Sequence, residues 1–169
     1  RNQITFEWMT PDAPDLPKRW PGTRPADGDC PVLKLADGTL LNRPATRDLA
    51  EHLGLQTNAG LAEYDTVVIG GGPAGLAAAV YGASEGLRTL VVEREAPGGQ
   101  AGTSSRIENY LGFPSGVSGD ELASRALKQA RRLGAEILVT RSVARVDPKT
   151  RRIYLDGDVA VQTRTVILA

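Results

Sequence analysis

Apolar and polar positions alternate through Ile4-Thr5-Phe6-Glu7-Trp8-Met9, a pattern that predicts a half-buried strand close to the beginning of the chain. The preceding Arg1-Asn2-Gln3 has no initiating Met, so the chain reads as starting mid-fold. From Pro11 to Asp29 the density of Pro, Asp and Gly predicts an ordered loop with at most a short helix. Pro31-Val32-Leu33-Lys34-Leu35 and Thr39-Leu40-Leu41 flank Ala36-Asp37-Gly38, and Asp-Gly between apolar runs predicts a hairpin. Thr46 is placed to cap a short helix that carries Leu49 and Leu53 one turn apart and ends at Gly54. Residues 1–57 thus read as strand, loop, hairpin and helix, with 58–63 as a linker. Trp8 and Trp20 are expected to be packing anchors of that small unit.

The character changes at Tyr64. Asp65-Thr66-Val67-Val68-Ile69 is continuously apolar after its first residues, as in a parallel strand buried on both faces. An Ala-rich helix is predicted from Ala74 to Glu85, stopped by Gly86, before a second β-branched strand, Thr89-Leu90-Val91-Val92-Glu93. Strand, helix and strand make a βαβ unit. A loop from Arg94 to Val117 leads to the capping box Ser118-Gly119-Asp120-Glu121 and a helix with Leu122, Ala126, Ala130 and Leu133 inward. Arg125, Lys128, Arg131 and Arg132 form its solvated face. Glu136–Thr140, Ser142–Val146, Arg152–Leu155 and Thr163–Leu168 read as further short strands. The fold class is therefore α/β, with 64–169 as a Rossmann-type domain.

Composition narrows the function. Of 169 residues, 20 are Lys or Arg and 20 are Asp or Glu, so no net charge draws the molecule to nucleic acid or an acidic membrane. No apolar run approaches the roughly 18 residues that cross a bilayer, and the N-terminus lacks a signal core, which leads us to expect a soluble, cytoplasmic protein. The single cysteine, Cys30, excludes a disulfide framework or a redox-active cysteine pair within these residues. No Lys, Arg or His stands close to it in sequence, so it reads as structural. His52 lacks a ligand partner at helical spacing and reads as a surface residue; no metal site is expected. No residue stands out as an acid, base or nucleophile.

Gly70-Gly71-Gly72-Pro73-Ala74-Gly75 fits G-x-G-x-x-G in the context that gives the motif weight: a buried strand before it and a helix after it. An acidic residue, Glu93, ends the next strand roughly 20 residues on, as a dinucleotide site requires. Gly70 permits the tight turn, Gly72 lets a diphosphate approach the backbone, and Gly75 lets helix and strand pack closely. The helix N-terminus offers unpaired N–H groups and about half a positive charge. Glu93 would accept hydrogen bonds from ribose hydroxyls, and its charge opposes a 2′-phosphate, an exclusion that the adjacent Arg94 weakens. A glycine-rich turn without a ligand is the alternative.

Val68-Ile69-Gly70-Gly71-Gly72-Pro73-Ala74-Gly75-Leu76-Ala77-Ala78-Ala79, Gly98-Gly99-Gln100 and Ile107-Glu108-Asn109-Tyr110-Leu111-Gly112-Phe113-Pro114, in this order, resemble the FAD-binding half of thioredoxin reductase-like flavoproteins. The similarity covers Tyr64–Ala169. It implies that Gly70, Gly72, Pro73, Ala74 and Gly75 hold the FAD diphosphate, with Glu93 on the adenosine ribose and Arg94 beside it. It also implies that Gly99 and Gln100 line the route to the flavin, Asn109 approaches the isoalloxazine, and the Val143 backbone meets the adenine edge. The family passes electrons from NAD(P)H through FAD to a cysteine pair in an inserted nicotinamide domain. Neither that pair nor a second glycine fingerprint occurs here, so the donor would bind outside this chain, and the chain reads as part of a longer flavoprotein. The implied partner is a protein disulfide or a thioredoxin-like acceptor, and the implied assembly a homodimer. A stand-alone NAD-binding domain and a non-catalytic binding module with the FAD fold are the competing readings. Residues 1–57 resemble the second half of a thioredoxin or glutaredoxin fold, in which a proline at the position of Pro31 is cis; a trans proline opening a strand is the alternative.

Overall fold

The continuous apolar run after Tyr64 becomes the centre of a six-stranded sheet in a computed structural model that describes residues 4–20, 22 and 24–169. Arg1-Asn2-Gln3 and two positions of the Pro11–Asp29 loop lie outside the described residues. In chain order the elements are α1 (Leu16–Arg19), a 3-10 turn (Asp27–Asp29), β1 (Val32–Lys34), β2 (Leu40–Asn42), α2 (Thr46–His52), β3 (Glu63–Ile69), α3 (Pro73–Ser84) and β4 (Thr89–Val92). A second 3-10 turn (Gln100–Thr103), α4 (Gly119–Arg132), β5 (Glu136–Leu138), β6 (Val143–Asp147), β7 (Arg152–Leu155) and β8 (Ala160–Leu168) follow. The sheet runs β5-β4-β3-β8-β7-β6, parallel from β5 to β8 and antiparallel through the β6-β7-β8 meander.

Alternation within the apolar strands feeds two cores. Val68 and Val91 face α3 and α4, where they pack with Leu76, Ala79, Leu127, Ala130 and Ile137. Val67, Leu90 and Val92 face the other way, onto Tyr64, Leu138, Ile153, Leu155 and Val161. A strand with both faces buried has no polar side to show, which is why it reads as an unbroken hydrophobic run. The starts of β3 and β4 are pinned together by Arg88, whose Nε and Nη2 donate to Asp65 at 3.1 and 3.0 Å. Its backbone N–H donates to the same carboxylate at 2.9 Å, and these bonds hold the Asp65 carboxyl down at about 2. Helix α4 starts as its capping box predicts, the Ser118 hydroxyl accepting the Glu121 N–H at 3.1 Å.

Several expectations are corrected. Ile4–Met9 forms no strand: among the described residues no neighbour pairs with it, and Phe6 and Trp8 are 80% and 76% exposed. Trp8 is therefore no packing anchor, while Trp20 is half-buried. Thr46 is the first residue of α2 rather than its cap, a position taken by Ala45 without a side-chain bond. β5 stops before Thr140, which adopts a left-handed φ of +57°. β8 begins three residues earlier than Thr163, because Ala160–Gln162 pair with β7, Gln162 pairing at the same time with Glu63 of β3. The hairpin β1–β2 forms in the register Val32↔Asn42, with Gly38 at φ +89°, and the Cys30–Pro31 bond is cis.

The segment between α2 and β3 is bonded along the β5 edge. Val139 N–H donates to the Gln56 carbonyl at 3.0 Å. The Glu136 carboxylate accepts from Gln56 Nε2, the Gly60 N–H and the Tyr64 hydroxyl at 2.8, 2.9 and 2.9 Å. Burial, and after it the adjoining Glu136, push the Tyr64 phenol up to about 12. Among the described residues no helix is long and apolar enough to cross a membrane.

Thr66 on β3 is 5% exposed, and its hydroxyl has no hydrogen-bond partner among the described residues. Thr66→Val removes that desolvated hydroxyl at nearly constant shape and is expected to raise stability by about 1 kcal/mol, read as a higher denaturation midpoint.

Candidate nucleotide-binding site

The site is built where β3 turns into α3. Gly70 sits at φ +108°, and a Cβ there would lie 2.3 Å from the Ala169 carbonyl oxygen at the end of β8. A Cβ on Gly75 would lie 1.9 Å from the Gly70 carbonyl oxygen, so this pair fixes how closely α3 approaches the sheet. Gly72 differs: among the described residues, its chain neighbours aside, nothing lies within 4 Å of its Cβ position, and the turn is open on that side. Gly72 is also the N-cap of α3, with Pro73 in the first turn and no side chain capping it. The first N–H groups of the helix, with the positive end of its dipole, therefore face that opening without a protein acceptor from a capping side chain.

Glu93 follows β4 directly and is 9% exposed. Its Oε2 accepts the Gly71 N–H at 2.7 Å and its Oε1 the Glu95 N–H at 2.8 Å. Its backbone is held equally: the Glu93 N–H donates to Leu138, and its carbonyl accepts from the Arg141 N–H at 3.1 Å. Each carboxylate oxygen keeps a lone pair for a further donor. A second loop closes over the first. Gly98 N–H donates to the Gly71 carbonyl at 2.7 Å, and a Cβ on Gly99, at φ +52°, would come within 3.2 Å of Gly72 Cα. The 3-10 turn after it is seated on α4, where a Cβ on Gly119 would lie 1.9 Å from the Ala101 carbonyl oxygen.

Gly70, Gly72, Pro73, Ala74, Gly75, Glu93 and Gly99 are thus gathered at one mouth, at the carboxyl ends of β3 and β4. Arg94 is not part of that packing; its side chain is 76% exposed and pairs with Glu95 at 3.3 Å. Gln100 is exposed on the 3-10 turn. Asn109 is exposed on the loop closed by the Ile107↔Val117 bridge, close to Leu111, which is 96% exposed. Val143 opens β6, two residues beyond Arg141. Three residues that bond here have no role in the sequence reading, although two of them stand inside its motifs. Gly71 occupies a variable position of the motif yet supplies the N–H that anchors Glu93, and Gly98 supplies the bond between the loops. Arg141, 6% exposed, bonds Thr57 and Asp156, partners too distant in sequence to leave a local signal.

This geometry is accompanied by a family match. Residues 64–169 match the family model of the pyridine nucleotide-disulphide oxidoreductases. The chain belongs to the pyridine nucleotide-disulphide oxidoreductase family. Thioredoxin reductase of Bacillus subtilis (strain 168) is 39% identical over 106 residues, 63% of this chain and 33% of the relative. That of Ureaplasma parvum is 41% identical over 107 residues, 63% of this chain and 34% of the relative. The crystal structure of thioredoxin reductase from Streptococcus pyogenes superposes with a TM-score of 0.58 at 34% identity, covering 63% of this chain and 35% of that one. The chain spans about one third of the length of the curated relatives it matches. The pyridine nucleotide-disulphide oxidoreductases of the thioredoxin reductase type use FAD, with NADPH as electron donor. The residues present fit a dinucleotide of that kind: an uncapped helix N-terminus, an unfilled space at Gly72, and a carboxylate fixed at the end of the neighbouring strand.

Proposed function

We propose that residues 64–169 are the FAD-binding part of a thioredoxin reductase-like flavoprotein that passes electrons from NAD(P)H through FAD to a disulfide acceptor of the thioredoxin class. The observation that carries this reading is the buried Glu93 carboxylate, bonded to the Gly71 N–H beneath the uncapped start of α3. The N–H groups of the first turn of α3 would hold the diphosphate, and Gly72 leaves the room for it to approach. Glu93, already fixed by two backbone N–H groups, would accept the adenosine ribose hydroxyls without reorganising. Gly99, lying over Gly72, would close the mouth on the side leading to Gln100, and Asn109 would donate toward the ring system. Bound FAD supplies hydride acceptance and delivery of two electrons to a disulfide; the protein supplies position and electrostatics. With Cys30 as the single cysteine, the disulfide couple and the nicotinamide site are assigned in this reading to parts of the protein outside these 169 residues. Residues 1–57 are read as a truncated thioredoxin-like module, a view favoured by the β1–β2 hairpin followed by α2.

Titration with FAD, followed by its visible band and by quenching of its fluorescence, tests this directly. Saturable binding that ADP displaces and NAD does not is the expected result. Failure to retain FAD, or preferential retention of NAD, overturns the reading.

A further inference from the structure

Helix α2 lies outside the family match, yet it reaches the segment that leads into the nucleotide site. Arg47 donates from Nε and Nη2 to the Thr140 carbonyl at 3.3 and 3.0 Å, across 93 residues of sequence. The same Nη2 pairs with Asp156 in the turn between β7 and β8. Asp156 is itself tied to the neighbours of Thr140. Its Oδ1 accepts the Ser142 N–H at 3.2 Å, its carbonyl accepts from Arg141 Nη1 at 2.8 Å, and its carboxylate lies 3.7 Å from that guanidinium. Arg141 also donates to the connector, Nε to the Thr57 carbonyl at 2.6 Å and Nη2 to Asn58 Oδ1 at 2.5 Å. Its backbone N–H goes to the carbonyl of Glu93 at 3.1 Å. An unbroken series of bonds therefore runs from α2 through Thr140 and Arg141 to the residue that grips the ribose in our reading. Thr140 stands in the left-handed region at φ +57°, which a β-branched residue adopts only under restraint, and Arg47 holds its carbonyl.

We propose that Arg47, Asp156 and Arg141 form a latch that couples docking of α2 to the adenosine end of the nucleotide site, so that the N-terminal segment raises cofactor affinity without touching the cofactor. This rests on reading that site as a flavin nucleotide site. Arg47 is in this sense a positioning residue. With Arg47 in place the Thr140–Ser142 backbone is fixed from both sides. Without it that backbone keeps, among the described residues, its bonds to Glu93 and to the Asp156 turn, and nucleotide binding must supply the missing order.

The test compares the wild-type chain with R47A, R47K and D156N. Calorimetric titration with ADP and with FAD is combined with hydrogen exchange at the Arg141 and Ser142 amides. R47A is expected to weaken both ligands by about five-fold, the effect of losing one partly exposed charge pair together with its hydrogen bonds. Exchange at the Arg141 amide should quicken in the absence of ligand. R47K, which keeps a charge and a donor opposite Asp156, should recover most of the affinity, and D156N should fall between. If R47A fails to melt cooperatively, D156N carries the comparison, expected to weaken ADP measurably while R47K stays near wild type. Unchanged ADP affinity in every variant that folds overturns the coupling and leaves a purely structural clamp. A wild-type protein that binds neither ADP nor FAD overturns the reading of the site itself, whatever the variants do.

Discussion

Alanine at position 75 is expected to destabilise the domain by about 3 kcal/mol and to abolish nucleotide binding. Its Cβ would lie 1.9 Å from the Gly70 carbonyl oxygen, 3.0 Å from the carbonyl carbon and 3.3 Å from Val68 Cγ1. None of these can yield cheaply. Gly70 is held by its N–H bond to Val92 and by contact with the end of β8, and Val68 is fully buried in the core beneath α3. The helix must instead lift from the sheet, opening contacts among Leu76, Ala79 and Leu127. Gly72→Ala is the matched control. It adds the same methyl where nothing lies within 4 Å, at a φ of −71° that any residue adopts. Gly72→Ala should therefore keep wild-type stability in denaturant titration while losing ADP and FAD, because the methyl would occupy the diphosphate's approach. If both variants lose stability equally, the glycines serve packing alone. If Gly72→Ala binds nucleotide normally, the diphosphate lies elsewhere.

The contrast between these two glycines shows what sequence can reveal. The fingerprint, its flanking strands and the following helix are readable because each is local: apolar runs, a proline in the first helical turn, a glycine just past the last. β3, α3, β4 and α4 accordingly begin and end within two residues of their expected limits. Readings fail where the decisive partner is remote. Ile4–Met9 has the right alternation but no edge to pair with among the described residues, and β8 starts early because β7 reaches Ala160. Arg141 follows Ile137-Leu138-Val139 in sequence like any charge at a strand end, yet it is buried against Thr57 and Asn58. Among the residues named for the cofactor, the glycines and Glu93 converge because the βαβ topology dictates where they lie. Gln100, on the 3-10 turn, and Asn109, on the loop closed by the Ile107↔Val117 bridge, are exposed, and no such topology dictates where their side chains lie.

Glu93→Gln is expected to be nearly as damaging as truncation, although it keeps shape and volume. The carboxylate accepts at both oxygens, from Gly71 N–H at 2.7 Å and from Glu95 N–H at 2.8 Å. A carboxamide has one acceptor; whichever way it turns, its NH2 faces a backbone N–H, donor against donor. At 9% exposure, water gives little relief. One N–H is left unsatisfied and a charge-assisted bond is lost, which together destabilise by about 2–3 kcal/mol. The Gly71 N–H that loses its anchor lies inside the turn that must hold the diphosphate, and the same change removes half of the acceptor capacity offered to the ribose. ADP affinity should therefore fall by at least about ten-fold, beyond what the lower stability alone explains at a temperature where the variant is fully folded. Glu93→Asp, one methylene shorter, should not recover it, since no shorter carboxylate spans both N–H groups from the same backbone position. Wild-type stability and affinity in Glu93→Gln would mean that the turn is ordered by its glycines alone, leaving the carboxylate no part in either folding or binding.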